Sequence, residues 1–210
     1  MKKYFIFALA AAFAFAACQE DPEVTKDEEN KDNTEQGGQE QGGQEQGGQE
    51  GNQTTTKTVC INEVCGVSGY KGVELYNPND AEVSVEGYTL IKNEAADAPT
   101  WTGTADDKIP AKGFYVIKSK KETTEIDAVA NATAKDSFSP GQTLKLELKD
   151  ASGNVISTFV RGVAPWGTVI EVVDCAFGLT TDGGDTWKLL GITIGATNNG
   201  AENKGDIPQV

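Results

Sequence analysis

The chain has 210 residues, a formal net charge of −14 and no histidine. So acidic a chain lacks the Lys/Arg surface that releases counterions from phosphates, and nucleic acid is not expected as a partner. The missing imidazole removes Ser-His-Asp and Cys-His catalysis, histidine-ligated zinc and a neutral-pH histidine switch together.

The N-terminal stretch MKKYFIFALAAAFAFAAC places Lys2 and Lys3 before an apolar run from Tyr4 to Ala17. Those 14 residues are too few for a helix across a ~30 Å hydrocarbon core, which takes ~20, and they read as a signal peptide spanning residues 1–17. Ala16-Ala17-Cys18 resembles the lipobox of bacterial lipoproteins, which implies lipid attachment at Cys18 and a membrane partner reached through the anchor. The residues after it, Gln19-Glu20-Asp21-Pro22-Glu23, resemble the export signal of Bacteroidota-type surface lipoproteins. That likeness implies an outer-membrane, lipid-anchored protein displayed on the cell surface.

Residues 18–57 form the next unit. From Gln19 to Lys57 there are 11 acids, 3 lysines and one aliphatic residue, Val24, and EQGGQ occurs three times. This composition cannot build a core, so the segment is expected to be a disordered acidic linker. A Gly-rich coil of its 39 residues has an r.m.s. span of ~35 Å, longer with self-repulsion.

From Thr58 short runs rich in Val, Ile, Leu, Phe and Tyr alternate with Gly, Asn, Asp and Pro, the pattern of many short strands. Strands are expected at Val59–Val64, Gly72–Tyr76, Tyr88–Lys92, Phe114–Lys118 and Thr168–Val173. In Gly72–Tyr76, Val73 and Leu75 point inward and Glu74 and Tyr76 outward, and Asn77-Pro78-Asn79-Asp80 stops the strand. Ser119–Ala134 alone has helix-friendly composition, with room for one short helix. In TLKLELKD, Leu144, Leu146 and Leu148 share one face and Lys145, Glu147 and Lys149 the other. The turn DASGN, with Gly153 at its special backbone angle, returns the chain as NVISTFVRG to complete a hairpin. About eight strands in ~150 residues define a β-sandwich.

The order of these motifs resembles the lamin tail domain. The matching pieces are INEV (Ile61–Val64), VELYNPND (Val73–Asp80), EGYTLIKN (Glu86–Asn93), IPAKGFYVI (Ile109–Ile117), SFSPGQTLKLELKDASGNVISTF and GLTTDGGDTWKLLGITIGATNNG. Tyr88 departs from the family's usual tryptophan, and Leu179-Thr180 stand where an arginine often precedes the Asp-Gly turn. The resemblance implies an all-β, immunoglobulin-like β-sandwich of lamin-tail type over residues 58–200, followed by a tail at 201–210. It further implies a non-catalytic interaction module for an extracellular protein or glycan, with Trp187 at a core position.

The residues leave several chemistries to weigh. Strict alternation puts Glu63 on the core face with Val59 and Ile61, where an unpaired carboxylate is unwelcome; a bulge near Asn62 would turn it outward. Glu63 and Glu74 are then weak candidates for a calcium site or an acid–base pair, with strand-face polar pairing the default. No cofactor is expected beyond such a calcium ion. Asp182-Gly183-Gly184-Asp185 reads as a turn. Trp101 and Trp166, beside Pro99-Thr100 and Pro165, are the candidate contact surface. Their exposure would favour a glycan, and a flat apolar patch would favour a protein. Cys175 is the expected disulfide partner of Cys60 or Cys65, since Cys60 and Cys65 lie on opposite sides of one strand. A structural envelope protein, an accessory subunit for a secreted nuclease or hydrolase, and a carboxylate-only glycosidase are the alternatives; the last requires a cleft holding Glu63 and Glu74.

Overall fold

The computed structural model describes residues 58–122, 124–139, 141–170 and 174–207. The expected signal peptide, Cys18 and the expected linker lie outside the described residues, as do 171–173 at the end of the expected strand Thr168–Val173. Within the described part of that segment, Val169 forms only an isolated bridge with Gln142.

Two sheets stack face to face. The larger draws on β1 (Cys60–Cys65), β2 (Gly72–Tyr76), β7 (Phe114–Lys118), β8 (Ala130–Thr133), β11 (Ala176–Leu179), β12 (Trp187–Leu190) and β13 (Asn203–Gly205). Its order is β13-β12-β11-β1-β2-β7-β8. The smaller uses β4 (Thr89–Lys92), β5 (Trp101–Thr102), β9 (Leu144–Lys149) and β10 (Val155–Arg161), in the order β10-β9-β4-β5. A ribbon of β3 (Val83–Ser84) and β6 (Lys108–Ile109) lies outside both. Every pairing in the larger sheet is antiparallel except β7 with β8.

The core fills the space between the sheets. Ile61, Val73, Leu75 and Phe177 come from the larger sheet; Leu90, Leu144, Leu146, Leu148 and Phe159 come from the smaller. Each fully buried Leu, Ile or Phe contributes about 1.5–3 kcal/mol against leaving it in water. The period-2 pattern of TLKLELKD is realised directly: its three leucines are buried and the charged residues between them half-buried. Gly153 takes the left-handed conformation, φ +85°, and the Asp150 carboxylate accepts from the Ser152 and Asn154 amides to close the hairpin.

Strands β1, β2 and β11 show no such alternation, because the larger sheet is covered on both faces. A second apolar cluster, Cys65, Val116, Ile126, Ala176 and Ile194, packs on its outer side. The cover includes a 3-10 turn, Glu125–Ala128, and the loop after β12. The expected short helix in Ser119–Ala134 is thus this single turn, and β8 follows it. The tail expected from residue 201 carries β13, which pairs with the free side of β12 at Leu189 and Leu190.

Candidate functional site

Two features of the larger sheet hold polar or aromatic side chains in organised surroundings. The first is a buried polar network on its outer face; the second is an open groove at one end of the sandwich.

The network begins with a bulge. The β1–β2 register slips between Ile61 and Glu63, so one extra residue, Asn62, is inserted and Glu63 comes to lie opposite Glu74. Both glutamates are fully buried, as is Asn62. The loop after β12 closes over them. The Thr193 amide donates to Glu63 Oε1 at 3.2 Å, and the Thr193 hydroxyl meets Glu63 Oε2. The Gly195 amide donates to Glu74 Oε2 at 2.6 Å and Asn62 Nδ2 to Glu74 Oε1 at 2.9 Å. Asn62 Nδ2 also donates to Asp182 Oδ1 at 2.9 Å, while Asn62 Oδ1 accepts from the Gly183 amide at 3.1 Å. Asn198 ties the layers: its Nδ2 donates to the carbonyls of Asn62 at 3.0 Å and Leu179 at 2.9 Å.

Proton counting favours a protonated Glu63. With both Asn198 Nδ2 hydrogens used, Asn198 Oδ1 is the atom 2.6 Å from the Thr193 hydroxyl. That hydroxyl has one proton and two oxygens to serve. A protonated Glu63 resolves the conflict by giving its own proton to the Thr193 oxygen. Burial raises Glu63 to about 7, against the opposing pull of the Thr193 donors. Burial raises Glu74 to about 8, and the Glu63 charge adds to the effect while the Asn62 amide opposes it.

Each of the four carboxyl oxygens thus has a hydrogen-bond partner, with N–H groups at three of them and the Thr193 hydroxyl at Glu63 Oε2. Among the described residues no three His, Cys, Asp or Glu side chains stand together as a metal-binding group. Glu63 and Glu74 make the strand-face polar pairing that was the default expectation, through Thr193, Gly195 and Asn62. Asp182-Gly183-Gly184-Asp185 is a turn, with the Gly184 amide donating to the Thr181 carbonyl and Gly183 at φ +68°.

The groove, about 570 Å³, is lined by Cys60 and Ile61 of β1, by Ile156, Ser157 and Thr158 of β10, and by Leu179, Asp185 and Trp187. The Ile61 amide donates to Ser157 Oγ at 3.0 Å and pins β10 across β1. Trp187 is half-buried, its ring edge-on to Phe159 with centroids 4.9 Å apart. The resemblance placed Trp187 in the core; one side does pack there, and the rest forms the groove wall. Burial pushes the Cys60 thiol up to about 12, with Asp182, Glu74 and Asp185 adding to the shift, which disfavours the thiolate.

The expected contact surface needs correction. Trp101 is only 4% exposed, because it opens β5 opposite Leu90 and stacks on Tyr115 at 5.5 Å. Trp166 is half-buried with its indole N–H directed toward Glu94, outside hydrogen-bond geometry; it does not line the groove. The expected disulfide is also not formed: Cys60, Cys65 and Cys175 are free. β1 pairs Cys65 with Ala176, next to Cys175, but Cys65 enters the outer cluster and Cys175 the inner core. The sheet stands between them. Sequence reading placed a bulge near Asn62 and a turn at Asp182, but it did not find Thr193 and Asn198 as their partners.

Two packed, mainly antiparallel sheets define an immunoglobulin-like sandwich. The lamin tail domain family model matches residues 52–162, just over half of the chain, and the protein belongs to that family. Strands β11 to β13 lie beyond the matched stretch yet complete the same sheet. Among curated proteins nothing matches the chain.

Proposed function

We propose that this protein is a lipid-anchored, cell-surface interaction module without catalytic activity, presenting its lamin tail domain to an extracellular protein or glycan. The observation that carries the reading is the groove with Trp187 on its wall, a concave site joining an amphipathic aromatic to a few polar groups. The carboxylates that a glycosidase would need, Glu63 and Glu74, do not line it; they are sealed beneath Thr193 and Gly195. The acidic surface favours neutral or basic partners over nucleic acid. The lipobox-like Ala16-Ala17-Cys18 supports an anchor at Cys18, and the acidic linker supports presentation away from the outer membrane.

The test has two arms. Metabolic labelling with a fatty acid analogue should mark the parent and not Cys18→Ser, and protease added to intact cells should remove the domain. Glycan and protein arrays probed with the Cys18→Ser chain should give a ligand whose signal falls for Trp187→Ala. Unlabelled protein, full protection from protease, or a ligand indifferent to Trp187 would overturn the corresponding part.

A further inference from the structure

The groove is walled on one side by β10, and that wall is not a free pairing edge. β10 bulges between Val155 and Ser157, and Ser157 Oγ already accepts from the Ile61 amide of β1 at 3.0 Å. What the groove offers a ligand is therefore side chains. Among the described residues, the Asp185 carboxylate, the Thr158 hydroxyl and the Trp187 indole N–H have no hydrogen-bond or ion-pair partner, and Asp185 and Thr158 are exposed. The Ser157 hydroxyl, whose oxygen serves Ile61, still has its proton to give.

These groups make a mixed set. One charged acceptor, two hydroxyls and one indole donor stand beside an aromatic ring and the apolar side chains of Ile61 and Leu179. A ligand that matches the set carries hydroxyls on its rim and apolar C–H groups on a face, which describes a pyranose ring. The indole gives the C–H face an apolar body and leaves its N–H for a hydroxyl. The carboxylate accepts short, charge-assisted O–H bonds, and its two oxygens can serve two neighbouring hydroxyls. Charge narrows the class further. No lysine or arginine lines the groove, and Asp185 is the charged side chain in its lining. Uronic acids and sulfated sugars would bring like charge to Asp185 with no cation to meet it, on a chain already at −14. The volume, about 570 Å³, falls within the ~300–1,000 Å³ of small-molecule sites and admits a short stretch of oligosaccharide.

We infer that the groove binds a neutral glycan, with the C–H face of one sugar ring against Trp187 and two adjacent hydroxyls on the Asp185 carboxylate. The inference rests on the interaction-module reading above and chooses glycan over protein as the partner. The unused polar groups here are hydroxyls, an indole N–H and a carboxylate rather than a main-chain edge.

The probes are neutral trisaccharides (maltotriose, cellotriose, mannotriose and triacetylchitotriose), with trigalacturonate as the acidic control. Each is titrated into the full Cys18→Ser chain and followed by tryptophan fluorescence and saturation-transfer NMR. At least one neutral sugar should bind, with saturation strongest at the C–H protons of one ring. Trigalacturonate should bind at least about tenfold more weakly. Asp185→Ala should weaken binding about tenfold and Asp185→Asn, which keeps one acceptor oxygen, by less. Asp185 is exposed enough that folding is not at issue. Trp187→Phe keeps an aromatic ring against Phe159 but loses the indole donor, and should weaken binding about threefold. Silence of every neutral sugar, an equal response to trigalacturonate, or binding indifferent to Asp185→Ala would overturn the inference. If the protein array yields a Trp187-dependent ligand while the sugars fail, this inference falls and the module reading stands. Failure of the sugars and the arrays together defeats both.

Discussion

Glu63 and Glu74 face each other across adjacent antiparallel strands, both fully buried, with no basic side chain among the groups that shift either one. A doubly ionised pair in that position would carry a large desolvation and repulsion penalty. Burial instead favours the protonated form of both groups, while the Thr193, Gly195 and Asn62 donors pull the other way.

This arrangement makes stability depend on pH in an unusual direction for carboxylates. Burial raises the folded values to about 7 and about 8 from an ordinary 4.5, so the folded protein holds protons that the unfolded chain releases. The resulting stabilisation is complete below pH ~4.5 and is lost as pH rises through the folded values, at ~1.4 kcal/mol for each tenfold difference in proton affinity between the folded and unfolded chain. Melting temperature should therefore fall from about pH 4.5, the ordinary value, up to about pH 8, the higher folded value, and this contribution levels off above it. Glu63→Gln mimics the protonated state, since its amide can donate to the Thr193 oxygen. It should flatten the profile and melt above the parent at pH 8.5. A parent whose melting point rises across that window would show the pair to be ionised.

Asn198 is the network's least replaceable member. Its side chain is buried and serves the Asn62 and Leu179 carbonyls and the Thr193 hydroxyl. Asn198→Ala leaves buried carbonyls without their donor and should cost about 2–4 kcal/mol in denaturant unfolding. Asn198→Asp should cost more, because it turns a donor into an acceptor beside Glu63 and Asp182. An aspartate variant as stable as the parent would remove Asn198 from this role.

Glycines separate close approach from turn geometry. A Cβ at Gly103 would lie 2.0 Å from the Val85 carbonyl oxygen, a backbone atom that cannot swing away. Gly153 sits in the hairpin turn at φ +85° with open space around it. Gly103→Ala should thus cost well over ~2 kcal/mol, whereas Gly153→Ala should cost only about 1 kcal/mol of backbone strain. Chemical denaturation of the two variants side by side would decide, and equal costs would refute the distinction.

The strands that sequence reading located best are those whose one wet face preserves alternation, such as Leu144–Lys149, or whose stop signal is local, such as Asn77-Pro78 after Gly72–Tyr76. The bulge at Asn62 was also legible, because Glu63 in regular register would have met the core. Two-residue strands such as Trp101–Thr102 carry no period, so a proline neighbour made Trp101 look like a loop residue. The Glu63–Glu74 pair was legible as a neighbourhood, but its cover was not. Thr193, Gly195 and Asn198 come from more than 110 residues away, and nothing local marks a loop that folds back over a sheet. The groove was hidden for the same reason: β1, β10 and β12 are distant in the chain and meet only through sheet stacking.

The cysteines provide the last test, because their positions in the two layers predict chemistry. Cys65 lies in the cluster outside the larger sheet and Cys175 in the core inside it, although β1 and β11 bring their backbones together. A bridge would require one side chain to cross the plane of the sheet, against disulfide geometry. Burial pushes the Cys60 and Cys65 thiols up to about 12 and also raises Cys175. At pH 8 the thiolate fraction of the first two is then roughly three orders of magnitude below that of a free cysteine. The folded Cys18→Ser chain should accordingly react slowly with Ellman's reagent. In guanidinium without reductant it should take up alkylating agent at Cys60, Cys65 and Cys175 alike. Intact mass showing only one alkylated cysteine would establish a bridge, and peptide mapping that joined Cys65 to Cys175 would place them on the same side of the sheet.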